Sequence, residues 1–190
     1  EIDRQDYYAC HILCMALNKA RWNHIDVASQ RGTTTTGVGV RTMFWKESLH
    51  KIIQTGDMVS GQFVDAHPIL RPFANVVKRK KLTKAFMRGF VDSRLKILPQ
   101  PGNMDQLTAH FDKTHGYFYN MLLEVMGRKD DNLEHMVKHI GRAVGIIQGV
   151  MLWRKQAQYG HTMFPSDKCA KYQVNVALLM NTALANRDMC

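Results

Sequence analysis

Residues 135–166 contain neither aspartate nor glutamate. A carboxylate metal site within that stretch is therefore excluded, as is a carboxylate general base. Long hydrophobic runs are missing too: none approaches the roughly 20 apolar residues that a membrane-spanning helix needs. The four cysteines, Cys10, Cys14, Cys169 and Cys190, lack the spacing of a disulfide scaffold and suit a reducing compartment. No segment alternates polar and apolar residues with the period of a half-buried strand, and no internal repeat occurs. The glycines from Gly32 to Gly39 are not followed by Gly-Lys-Ser/Thr, so residues 31–39 read as a flexible Gly/Thr loop rather than a phosphate loop.

What is present is basic and helical. The 190 residues, of which 45% are hydrophobic, suffice for one sizeable core and one domain. Lysine and arginine number 26 against 16 acids, a net charge of +10 that draws phosphate-rich surfaces by long-range electrostatics. Charge alone leaves RNA association and an ordinary basic surface equally open.

The period of the apolar residues predicts helices throughout. Residues 4–28 form the first, with Ile12, Met15 and Ala16 on one face and Tyr8 a turn before them. Residues 40–53 form the second, with Phe44, Trp45, Leu49, Ile52 and Ile53 as its buried stripe. Pro68 opens the third, which turns Ile69, Phe73, Val76 and Val77 inward and ends in the basic run 78–81. Thr83 is positioned to cap a fourth helix that reaches Leu98. Asn103 and Gln106 suggest a capping box for the fifth, which runs to Met126 with Phe111, Phe118, Leu122 and Val125 inward. Asp130 and Asp131 open the next, and a last helix over residues 166–186 buries Val174, Leu178 and Ala185 or their neighbours.

The acid-free stretch has a pattern of its own. Gly141, Gly145 and Gly149, four residues apart, leave one helix face bare for close backbone approach. Ile140, Val144, Ile147 and Met151 lie beside that face and read as core. Gly160 then breaks the chain, and the turn from Phe164 to Asp167 opens the last helix. The helix, loop and turn carrying His139, Gly141, Ala143, Gly145, Ile146, Ile147, Phe164, Pro165 and Asp167 resemble those of the squalene/phytoene synthase family. The order of earlier segments agrees: Met43 to Lys46, His67-Pro68, Leu82-Thr83 with Asp92 and Arg94, and Leu107 through Tyr117 to Gly127. The likeness spans most of the chain and is to the mitochondrial branch, the phytoene-synthase-like assembly factors of respiratory complex I.

That resemblance implies an all-α, single-domain helical bundle of the isoprenoid synthase type over residues 1–190, incomplete at its C-terminus. The family's later helices would then come from an unobserved tail or from a partner that completes the bundle. Enzymes of the family join prenyl diphosphates at magnesium ions held by two DxxxD motifs, whose carboxylates share a helix face because they stand four residues apart. The first motif would fall near Asn18 to Asp26, where Asp26 is the one acid, with Trp22 four residues before it and Gln30 four after. The second would fall near residues 148–156, inside the acid-free stretch. Both motifs are expected to be lost, with Asp26 as the remnant of the first, and no cofactor or metal is expected. His139, Gly141, Gly145 and Gly149 are expected to pack the family helix.

Other constellations have plainer readings. Lys78, Arg79, Lys80, Lys81, Lys84 and Arg88 form either a solvated basic face or a grip on RNA or anionic lipid. Arg154, Lys155, Tyr159 and His161 combine charge with a ring suited to phosphate and base contacts, or fill the mouth of the lost site. His135 and His139 share a helix face without a third metal ligand and are read as structural or solvent-facing, and Cys10-His11 with Cys14 lacks a fourth ligand and is read as ordinary, partly buried thiols. The aromatic residues Phe44, Trp45, Tyr117 and Phe118 are read as core rather than as a ligand box.

The function expected is that of a non-catalytic assembly factor, a binding scaffold in biogenesis of a large mitochondrial complex. Its protein partners would be subunits of respiratory complex I or of a mitochondrial ribosomal subunit, with ribosomal RNA contact and peripheral inner-membrane contact both open. Its place would be the matrix or the matrix face of the inner membrane. The alternative is a divergent prenyl-diphosphate transferase or a lipid-binding enzyme.

Overall fold

A computed structural model describes residues 2–21, 37–56, 67–96, 100–158 and 161–185. Among these the architecture is all-α. In chain order the helices are α1 (Ile2–Arg21), α2 (Gly37–Thr55), α3 (Leu70–Lys80), α4 (Lys84–Leu95) and α5 (Met104–Phe111). A π-helical turn, Asp112–Gly116, joins α5 to α6 (Tyr117–Val125). There follow α7 (Asp131–Met151), α8 (Trp153–Gln158), α9 (Ser166–Lys171) and α10 (Val176–Ala185).

The main core lies among α1 to α4 and α6. Leu13, Leu17, Leu49, Ile52, Phe73, Val76, Met87, Phe90 and Met121 are fully buried there. A smaller cluster of Leu107, Phe111 and Met163 sits under α7. The expected inward residues of the fifth helical run, Phe111, Phe118, Leu122 and Val125, are all buried.

Helix ends follow their side chains. Asn103 Oδ1 accepts from Gln106 N at 2.9 Å while Gln106 Oε1 accepts from Gly102 N at 2.8 Å, a reciprocal cap. Asp130 Oδ1 accepts the amides of Asn132 and Leu133 and starts α7. Gly127, at φ +72°, lets Arg128 N reach Leu123 O at 2.8 Å and closes α6.

Several expectations are corrected. On α1 the buried face is Asp6, Ala9, Cys10, Leu13, Leu17 and Ala20, whereas Ile12 and Met15 are exposed. The stripes differ by one position, and the one that also carries small Ala9 and Cys10 lets neighbouring helices come close. The expected loop 31–39 ends early, because residues 37–39 already belong to α2; the remainder falls outside the described residues. Phe44 is exposed. Thr83 sits at the N-cap of α4 without capping it through its own side chain. Glu124 from α6 accepts both its amide, at 2.8 Å, and its hydroxyl. The expected last helix is two, α9 and α10, because Gln173 adopts φ +53° and ends α9, and Asn175 Oδ1 then caps Leu178 N. Val174 and Leu178 are exposed rather than buried.

Candidate functional site

The π turn organises the site. Five residues without regular α spacing bring Thr114, His115 and Gly116 to buried positions in the middle of a long helical run. The backbone of Gly116 meets α7 at Gly141, where an added Cβ would lie 2.7 Å from Gly116 N. One turn on, the space beside Gly145 is filled by the Phe111 ring, and Gly149 faces Met163. Arg142 fastens the contact through a bidentate pair with Asp112, at 2.6 and 2.8 Å.

These elements, with α1, α4 and α8, enclose a cavity of about 210 Å³. Asn18, Arg94, His110, His115, Gln148, Lys155 and Gln156 contribute polar groups, and Phe111, Leu152 and Met163 an apolar wall. Arg94 is 8% exposed. It donates to Asn18 Oδ1 at 3.1 Å, to the Thr114 carbonyl at 3.2 Å and to His115 Nδ1 at 3.3 Å. A guanidinium only donates, so His115 Nδ1 accepts and its proton sits on Nε2. Burial, reinforced by the Arg94 charge and then by His110, pulls the His115 pKa down to about 3, and the ring is neutral at physiological pH. Burial also lowers the Arg94 pKa from its ordinary value. Two polar atoms of the lining, Arg94 Nε and Gln156 Oε1, are buried without a hydrogen-bond partner.

No carboxylate lines this cavity among the described residues. Nor does any group of three or more His, Cys, Asp or Glu side chains among them suit a metal ion. The arrangement can orient and neutralise an anion; its residues supply no carboxylate bridge to a divalent cation. Asp26 and Tyr159 fall outside the described residues.

The basic residues divide. Arg79 pairs with buried Asp6, Lys80 pairs with Asp3, and Lys84 donates to the Gln54 carbonyl, so three of the expected contact residues hold helices together. Lys81 and Arg88 are exposed, as are Lys78, Arg79 and Lys84, and Lys78 has an interaction of its own. In the second cluster Arg154 lies 5.6 Å from the ring centroid of its neighbour Trp153, Lys155 stands on the cavity wall, and His161 N bonds to Gln156 O.

Gly141, Gly145 and Gly149 are the buried residues of α7. His139 is exposed, its Nε2 3.1 Å from His135 Nε2, and does not pack beneath the helix. Ile140, Ile147 and Met151 are exposed as well. The glycine side takes the contact because only a face without Cβ atoms admits the Gly116 backbone, and that turns the neighbouring apolar stripe outward.

Reasoning from sequence missed the partnership of Arg94 and His115. One signal for it exists: Arg94 follows Met87, Phe90 and Val91 by seven, four and three residues, which places a charge on the buried face of α4.

The model of the family described as squalene/phytoene synthase matches residues 3–189. Among curated proteins, the chain is 29% identical over 143 residues to "NADH dehydrogenase (ubiquinone) complex I, assembly factor 6 homolog" of Dictyostelium discoideum, covering 74% of this chain and 38% of that protein. It is 25% identical over 184 residues to "NADH dehydrogenase (ubiquinone) complex I, assembly factor 6" of Homo sapiens, covering 90% of this chain and 53% of that protein. With the Drosophila melanogaster homolog it shares 30% identity over 108 residues, 56% of this chain and 32% of that protein. The chain thus spans about half or less of the length of these relatives.

Proposed function

The chain belongs to the squalene/phytoene synthase family, and on that premise we propose that it is a non-catalytic member, a binding body in assembly of a large mitochondrial complex. The observation that carries the reading is the cavity. Where the enzymes of this family would hold magnesium between paired carboxylates, the described lining offers Arg94, Lys155, Gln148 and Gln156. Both aspartate motifs are read as lost, and ionisation of a diphosphate lacks its electrophile.

The relatives named complex I assembly factor 6 favour respiratory complex I as the client. The +10 charge favours a ribosomal subunit with RNA contact through the basic residues from Lys78 to Arg88. The working location is the matrix or the matrix face of the inner membrane. No helix among the described residues is long and apolar enough to cross a membrane.

Sedimentation of the native protein from gently lysed mitochondria, with and without ribonuclease, tests this reading. Co-migration with complex I intermediates that ignores ribonuclease supports respiratory assembly, and co-migration with a ribosomal subunit that collapses after ribonuclease supports the ribosomal client. A small free species that turns over labelled prenyl diphosphates with magnesium would overturn the non-catalytic reading.

A further inference from the structure

We propose that His135 and His139 on α7 form a bidentate chelate for a late first-row transition-metal cation of the nickel(II), copper(II) or zinc class, outside the lining of the cavity described above. This goes beyond the assembly reading and does not depend on it.

The argument begins with helix geometry. Residues four apart stand one above the other on a helix, so their side chains can meet. Here they do: the two Nε2 atoms approach to 3.1 Å, with the rings inclined at 76° rather than stacked. Imidazole nitrogens hold zinc at about 2.0–2.1 Å, so one ion touching both would subtend an angle of about 95–102° between them. That lies between the roughly 90° of square-planar or octahedral coordination and the roughly 109° of a tetrahedron. Two ligands whose donor atoms converge in this way chelate, whereas a diverging pair on the same helix face does not.

In the pair as it stands one Nε2–H donates and the other Nε2 accepts. Coordination needs both lone pairs. The donating ring frees its own by moving its proton to Nδ1, so two neutral rings take up the cation without releasing a proton. Both side chains are exposed, and the rings can tilt toward an ion beside the line joining the nitrogens. The backbone beneath them is held: Asp130 caps the start of α7, and Gly141 seats the helix on Gly116.

The surroundings temper repulsion. Lys138 and Arg142, the lysine and the arginine of α7, both pair with Asp112. His135 borders a recess that Asp131 and Glu134 line together with Lys113. Waters on the remaining positions of the ion would have those carboxylates as acceptors. Imidazole suits nickel, copper and zinc, whereas magnesium prefers oxygen ligands.

Calorimetric titration of the full chain with nickel, zinc and magnesium chlorides, in buffer free of phosphate and chelators, provides the test. Nickel and zinc are expected to bind and magnesium not. His135→Gln and His139→Gln, both exposed substitutions that spare the core, should each weaken nickel binding roughly tenfold or more, because the second imidazole closes on an ion already held by the first. His50→Gln, on α2, should leave it unchanged. Saturating nickel should also raise the melting temperature of the parent by more than that of the double variant, since the chelate exists only where α7 is folded. Absence of nickel binding, nickel affinity indifferent to both substitutions, equal weakening by His50→Gln, or magnesium bound as tightly as nickel would overturn the proposal.

Discussion

At Gly141 a single added methyl group would fall 2.7 Å from the amide nitrogen of Gly116 and 3.0 Å from its Cα. Backbone cannot rotate aside as a side chain can, so Gly141→Ala forces α7 off the π turn. A loss of about 1–3 kcal/mol is expected. Gly149→Ala meets Met163 Cβ at an ordinary 3.4 Å, and the gain in helix propensity, up to about 1 kcal/mol, should leave that variant as stable as the parent or more so. Urea midpoints of the two variants decide whether the glycine face is a matter of contact or merely of composition. His115 offers a second prediction on this scale. Its folded pKa, about 3, lies below its unfolded value of 6.5, so the unfolded chain binds more protons between those limits. Stability due to the neutral ring is full above pH 6.5 and is lost as pH falls toward 3, with a slope approaching about 1.4 kcal/mol per pH unit. The groups facing the ring are Arg94 and His110, both cationic or neutral, and neither offsets the loss. In His115→Gln that acid-limb slope should shrink; an unchanged urea-midpoint profile between pH 6.5 and 4 would contradict the assignment.

Among helical elements, the sequence made existence plain and orientation less so. The stripe of α2 from Trp45 to Ile53 and that of the run from Phe111 to Val125 point inward as their period indicates, because large apolar residues there fill the core. On α1 and α7 the helices present small residues to their neighbours instead, and hydrophobicity alone ranks Ile12, Met15, Ile140 and Ile147 above Ala9 or Gly145. Contact distance, a pairwise property, overrides that ranking and cannot be read from one helix. Of the site, the glycine face was legible, whereas the meeting of Arg94 with His115 depends on the π turn, which no local pattern announces. Capping shows the same limit. Thr83 was legible as an N-cap position, yet its donors go to Glu124, which is 41 residues away and buried, with Lys129 Nζ 3.2 Å from the same Oε1 that accepts the hydroxyl. Glu124→Ala should therefore strip α4 of its cap, orphan two donors and strand Lys129. A destabilisation of about 2–3 kcal/mol is expected, against a few tenths for Thr83→Ser, which keeps amide and hydroxyl alike. Equal thermal midpoints for Glu124→Ala and Thr83→Ser would refute the tertiary cap.

Over the whole molecule, 26 cations face 16 acids, and the ten unmatched charges repel one another more in the compact state than in the expanded one. The ion pairs that oppose this repulsion differ in how far salt can reach them. Asp6 is 1% exposed where it meets Arg79, and Asp112 is 17% exposed beneath Arg142, so screening weakens both less than it weakens the diffuse surface repulsion. The Lys80 pair with exposed Asp3 contributes little in either condition. Repulsion is the larger screened quantity, and moderate salt should stabilise the fold. Raising sodium chloride from about 0.02 M to 0.3 M, which shortens the screening length well below the molecular diameter, should lift the melting temperature by roughly 2–4 °C, corresponding to about 1 kcal/mol for a chain of this size. A polyanion that binds only the native surface should produce the same rise at low salt and lose its effect at high salt. A melting temperature that falls monotonically with salt would mean that the ion pairs outweigh the net charge, and the basic balance of the sequence would then be locally consumed rather than available to a partner.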